Sequence, residues 1–277
     1  MPMGNGPALT AADLQAGDIT IVYDDDSPDH SLMWVGGNKP LVHCTDGPGT
    51  SGIFQQSNYL YVEDDDAMDS DGEDEPIAEV YRCNSAGMAQ RARDIALQFS
   101  TRSDNPAYRA VRLAGNKAFL RTRFSQNRLG GNGGIWGPEA FVRAVRAYFR
   151  AANTQILSAN EGVTCSQFLT YTYQAAGVWA HAQASPAHRQ LITDAANDGL
   201  LGNMGLHGIS PLEGLTRVGP AYYCLRPMRA QVEAVMPRAV QVNACIMSVD
   251  VLATRLDGGN SGFTYMGNLL GKPQEDD

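Results

Sequence analysis

The apolar pattern of this 277-residue chain changes its period near residue 85. Up to Arg82 the sequence reads as short runs, Asp18–Tyr23, His30–Val35, Leu41–Thr45, Asn58–Val62 and Ile77–Arg82, each expected to be a strand. Gly36-Gly37-Asn38-Lys39-Pro40 is a turn signal between the second and third runs, so those two are expected to form a hairpin within a meander. From Ser85, a helix N-cap residue, Met88, Ala92, Ile95 and Phe99 recur on one helical face. Strands followed by helices define an α+β fold, with the first helix laid on the sheet.

Further helices follow. A Gly-rich stretch, Gly130 to Gly137, reads as a connector or lid, and Pro138 opens a helix that shares Phe141, Val145, Tyr148 and Phe149 on one face. Thr164 and Gln167 have capping-box spacing, and Phe168, Leu169, Thr172, Ala175 and Ala176 form a stripe expected to stop at Gly177. From Ser185 to Asp277 the pattern breaks into short pieces, with turns expected at Gly202, Gly205, Gly208, Pro211 and Gly219 and a helix over Ser248–Leu256. The reading is one domain over 1–277, with a helical, Gly-rich insertion at about 106–160.

Hydrophobic residues are 43% of the chain, enough for a sizeable core, and 29 Gly with 14 Pro fall far below a low-complexity composition. No stretch approaches the roughly 20 apolar residues of a membrane span, and Met1 to Leu14 has neither a basic leader nor an apolar h-region. The expectation is cytoplasmic synthesis without a classical signal. Five cysteines, odd in number and without a C-x-x-C pair, argue against a disulfide scaffold and a zinc site. The Gly-rich stretch matches neither a dinucleotide fingerprint nor a phosphate loop, and Pro273 stands where a phosphate loop ending in Gly271-Lys272 requires Ser or Thr. No feature demands a metal or organic cofactor.

Charge is segregated. Glu63 to Glu75 holds nine acidic residues and no Lys or Arg, which equals the whole formal charge of −9 and reads as a solvated loop. Arg82 to Arg150 carries 13 basic residues against three acidic ones. That segment could meet an anionic polymer, a lipid surface or an acidic partner, or could neutralise the acidic loop. No nucleic-acid-binding motif accompanies it.

Chemistry concentrates at Cys165. The capping box places it in the first turn of a helix, where free backbone N–H groups and the helix dipole stabilise a thiolate. A buried small hydrophobe is the bland alternative. A thiol nucleophile needs a base, and the base needs an orienting group. His181, His188 and His207 fall at helix ends or in loops. His30 and His43 lie on the two arms of the hairpin; with Val35 opposite Pro40, Leu32 faces His43, and the histidines become diagonal neighbours on one face, about 7 Å apart. A register slipped by one puts them on opposite faces.

Taken in order, Leu14-Gln15-Ala16-Gly17-Asp18-Ile19, Asp29-His30-Ser31-Leu32-Met33-Trp34-Val35-Gly36, Leu41-Val42-His43, Val80-Tyr81-Arg82 and Thr164-Cys165-Ser166-Gln167-Phe168-Leu169 with Ala176-Gly177 resemble the circularly permuted branch of NlpC-like, papain-fold cysteine peptidases. The resemblance covers roughly residues 14–105 and 160–180. It implies a permuted papain-like fold, a small antiparallel sheet or barrel packed on the helix that bears the nucleophile. It also implies roles: Cys165 as nucleophile, His30 as general base and His43 as the group that holds the imidazole, with Asp29 and Asp46 as fallback orienters. The Cys165 N–H would be one oxyanion donor.

Relatives of that branch cut amide bonds in bacterial cell-wall peptides, and one group, similar to lecithin retinol acyltransferase, moves acyl chains. The resemblance therefore implies a cysteine amidase or peptidase acting on peptidoglycan peptides. Combined with the missing leader, it suggests an antibacterial toxin delivered by a type VI secretion machine to a target periplasm, with a cognate immunity protein. A cytosolic lipid or protein hydrolase or acyltransferase and a non-catalytic binding module are the competing readings.

Overall fold

The computed structural model describes residues 5–24, 27–47, 50–56, 76–100, 136–152, 163–201, 211–244 and 247–270. The acidic stretch 63–75, the Gly-rich residues 130–134, His207, Cys245 and the run Asn58–Val62 lie outside them. Seven strands form one open sheet: β1 (Ala8–Leu9), β2 (Ile19–Asp24), β3 (Ser27–Trp34), β4 (Leu41–Gly47), β5 (Thr50–Gln56), β6 (Pro76–Cys83) and β7 (Phe263–Leu270). Their order is β1-β7-β6-β2-β3-β4-β5, antiparallel throughout except for the two-residue β1, which pairs parallel with β7. The fold is α+β with a mixed sheet, and because the order has two ends the described strands do not close into a barrel.

The expected meander holds for β2, β3 and β4 and is extended by β5, a strand not among those expected, but β6 leaves it and returns to the free side of β2, registering Tyr81 against Ile19. Asp18 fixes that return. Its buried carboxylate meets the Arg82 guanidinium at 2.7 and 3.0 Å and accepts the Gln15 N–H at 2.8 Å. A paired, hydrogen-bonded carboxylate is the form in which such a charge is tolerated inside a protein. The adjoining turn needs glycine: Gly17 has φ +91°, and a Cβ there would stand 2.6 Å from the Ala89 carbonyl oxygen.

Helices cover one face. They are α1 (Ala86–Ser100), α2 (Pro138–Ala152), α3 (Cys165–Ala184), α4 (Pro186–Asn197), α5 (Pro211–Leu225), α6 (Arg229–Val235) and α7 (Val249–Leu256). Alternate strand residues Ile19, Ile21, Met33, Val35, Val42 and Cys44 share a single core with Phe99, Phe141, Val145, Phe168 and Leu169. α3 is the central helix, packed against both α1 and α2 and touching β3 and β4. The other sheet face keeps a smaller cluster of Ile77, Ala78, Val80 and Leu269.

Two expectations are corrected, and one reading left open is narrowed. The stripe of α3 continues past Gly177 to Ala184, because Gly177 lies inside the helix where its missing side chain admits Met236. Among the described residues after Ser185 the chain forms α4, α5, α6, α7 and β7; Pro211 opens α5, Gly219 and Pro220 sit within that helix, and the turns expected at Gly202, Gly205 and Gly208 fall outside the described residues. Finally, Arg143 and Arg146 do not face outward. They are 0% and 2% exposed, Arg143 pairing with Glu139 at 2.9 Å and Arg146 donating to the Leu201 carbonyl, so these two belong to the interior. α2 lies in the main core with the sheet and α3.

Candidate active site

Two elements deliver the reactive groups. α3 begins as its capping box predicts: Thr164 is the N-cap, its hydroxyl accepts from the Gln167 N–H, and the Gln167 side chain accepts from the Thr164 N–H at 3.1 Å. Cys165 is the first helical residue, so its N–H stands outside the intrahelical ladder. The helix start is anchored on both sides. Ser166 Oγ donates to the Met247 carbonyl at 3.1 Å, and Cys44 Sγ on β4 donates to the Val163 carbonyl at 3.2 Å.

The hairpin takes the register in which Leu32 pairs with His43, and the Val35 N–H donates to the Pro40 carbonyl at 2.6 Å. His30 and His43 therefore share a face. His30 Nε2 lies 2.9 Å from His43 Nδ1, with the rings edge-on and their centroids 5.2 Å apart. An imidazole has two nitrogens, and with Nε2 given to His43 the remaining nitrogen of His30 is Nδ1. His30 is hydrogen-bonded to Cys165, which makes Nδ1 the atom that faces the sulfur. In the neutral pair the tautomers follow: His30 Nε2–H donates to His43 Nδ1, and His30 Nδ1 accepts from the thiol.

The electrostatics favour charge separation. Burial pushes the Cys165 thiol up, but the hydrogen bond and charge of His30, with hydrogen bonds from the side chain and backbone of Ser31, bring it below its ordinary value. Burial pushes His30 down, and the hydrogen bond and charge of Cys165 with the charge of Asp29 carry it above its ordinary value. Each shift stabilises the ion of its group. A half-buried thiolate against a half-buried imidazolium is an arrangement suited to nucleophilic attack.

The structure thus brings Cys165, His30 and His43 together from three separate segments. Asp29 is exposed and acts on His30 through charge; the Asp46 side chain lies outside the described residues. His181 and His188 stack on each other across the α3–α4 junction, ring centroids 4.5 Å apart, and do not contribute to this site. The residue that sequence reasoning missed is Ser31. Its one signal was its place beside His30; its contact with the sulfur depends on where β4 turns away. Among the described residues, no cluster of three or more His, Cys, Asp or Glu is placed to hold a metal ion, and no helix is long and apolar enough to cross a membrane. Comparison with protein-family profiles, curated protein sequences and solved structures gives no match to this chain.

Proposed function

We propose that this protein is a cysteine hydrolase of amide bonds, with Cys165 as nucleophile, His30 as general base and acid, and His43 as the group that orients His30. The observation that carries the reading is the directed chain Cys165 to His30 to His43, in which the His30–His43 contact is 2.9 Å and both titration shifts point toward a thiolate–imidazolium pair. The thiolate sulfur adds to the substrate carbonyl carbon, and the carbonyl oxygen takes the negative charge beside the Cys165 N–H. As the tetrahedral centre collapses, the C–N bond breaks and His30 Nδ1–H protonates the departing amine, which leaves a thioester. A water then gives its proton to His30 Nδ1 and its oxygen to the carbonyl carbon, and the sulfur departs as thiolate, while His30 keeps the proton. The product is a carboxylic acid, and the resting ion pair is restored.

The substrate class follows from the resemblance to permuted NlpC-like peptidases: peptidoglycan peptides, cleaved by a toxin secreted into a rival's periplasm and restrained in the producer by an immunity protein. The test is mass spectrometry of purified cell-wall peptides incubated with wild type and with Cys165→Ala. Cleavage by wild type alone supports the amidase; identical spectra from both remove it. Equal lysis of cells carrying periplasm-targeted wild type and Cys165→Ala would remove the toxin role.

A further inference from the structure

We propose that Ser31 is a further catalytic residue of this site, whose hydroxyl and backbone N–H hold the Cys165 sulfur as an anion before attack. The inference rests on the nucleophile assignment above and specifies what sustains it. Ser31 is 0% exposed, between the half-buried His30 and the buried Leu32 and Met33. A hydroxyl placed so deep costs stability unless it finds a partner. Among the described residues its Oγ has no hydrogen-bond partner in the resting structure, and the Cys165 sulfur, on whose charge Ser31 acts, is the group left for it to hold.

The backbone N–H is aimed by the sheet, independently of the hydroxyl. Along an antiparallel pair, hydrogen-bonded and non-hydrogen-bonded positions alternate. The Val35 N–H donates to Pro40, so Val35 is a hydrogen-bonded position, and Met33 and then Ser31 follow at steps of two. The Ser31 N–H therefore points to the β4 side, where Cys44 would be its partner in an uninterrupted ladder. Pairing between β3 and β4 ends instead at Leu32 with His43. The strands diverge just short of Ser31, the start of α3 occupies the gap with Cys44 tied to Val163, and the Ser31 N–H is left to the sulfur.

Both donors act on charge. A neutral thiol and a thioester sulfur are poor acceptors, whereas a thiolate is a strong one, so the two hydrogen bonds stabilise the resting ion pair far more than the acylated state. Neither donor loses its proton; the thiol proton goes to His30 Nδ1. Among the described titratable groups, His30 is the one whose charge reaches the thiol, with Asp29 acting on His30.

The experiment is the pH dependence of Cys165 alkylation by iodoacetamide in the full chain, followed by peptide mass spectrometry with Cys44, Cys83 and Cys224 as internal references. The expected result is a wild-type midpoint below the usual thiol value of about 8.5, moved upward by about one unit in Ser31→Ala. Ser31→Thr and Ser31→Val provide the matched pair in case Ser31→Ala does not fold. They have the same shape, and only the Thr variant should keep the low midpoint. A low midpoint retained by Ser31→Ala, or shared by the Thr and Val variants, overturns this inference and leaves the nucleophile reading intact. An ordinary midpoint in the wild type overturns both.

Discussion

The Tyr23–Glu79–Tyr81 cluster lies on two neighbouring strands of the sheet, the His30–His43–Cys165 cluster joins two other neighbouring strands to the start of α3, and the two handle protons in opposite ways. Glu79, 5% exposed, accepts the Tyr23 hydroxyl at 2.8 Å and the Tyr81 hydroxyl at 2.7 Å. Burial, then the hydrogen bond and charge of Glu79, push both phenols far above their ordinary range, so neither gives up its proton near neutrality. That cluster is closed. At Cys165 and His30 the thiol shifts downward and the imidazole upward, so both shifts favour moving the proton from sulfur to nitrogen. A satisfied buried network fixes a fold; a matched acid–base pair beside a thiol is available for a reaction.

The largest effect is expected at His30. His30→Ala should lower turnover on wall peptides by between about 10²- and 10⁴-fold while leaving the unfolding midpoint near wild type; a variant of full activity would place the base elsewhere. The reverse pattern is expected at Glu79. Glu79→Ala leaves two phenol hydroxyls without their shared acceptor and should cost about 2–4 kcal/mol in urea unfolding, with Cys165 alkylation at pH 7 unchanged in the fraction that remains folded. A smaller effect is expected at His43. His43→Ala should reduce turnover by about 10- to 100-fold by freeing the imidazole, and His43→Gln, whose carbonyl can accept from His30 Nε2–H, should restore most of it. The smallest is Tyr23→Phe, about 1 kcal/mol of stability with no change in turnover.

The pH profile sharpens the same contrast. The reactive form needs Cys165 deprotonated, with its pKa lowered, and His30 protonated, with its pKa raised. Activity should therefore rise on the acid side as the thiol ionises, at a pH below the ordinary thiol value, and fall on the alkaline side as His30 loses its proton, above the ordinary histidine value. An alkaline limb that survives in His30→Ala would assign it to another group.

Much of the site was legible because it is local. A turn signal of five residues placed the hairpin and left two registers open, of which the structure takes the one with Leu32 against His43; a capping box placed Cys165 in the first turn of α3, and only the resemblance implied that the three residues meet. What was not legible depends on packing. β5 reads as Thr50-Ser51-Gly52-Ile53-Phe54-Gln55-Gln56, too polar and Gly-bearing to look like a strand, yet it pairs along the whole of β4. α5 contains Gly219 and Pro220, which in sequence mark a break. β7 lacks clean alternation because Gly267, at φ +139°, bends it where Pro7 passes close by. Ser31 was hidden for a related reason: no motif surrounds it, and only the divergence of two strands gives its donors something to bind.

The imidazole pair belongs to a hairpin near the start of the chain, whereas the sulfur arrives on a helix encoded far downstream and is held to the hairpin by packing and a few hydrogen bonds. A ribosome making this protein releases His30 and His43 long before Cys165, and the newborn polypeptide has no assembled site until that helix emerges and docks. Disarming the molecule after synthesis needs no blocked active site either: a wedge that separates the helix from the hairpin would do it, while leaving every reactive atom chemically untouched.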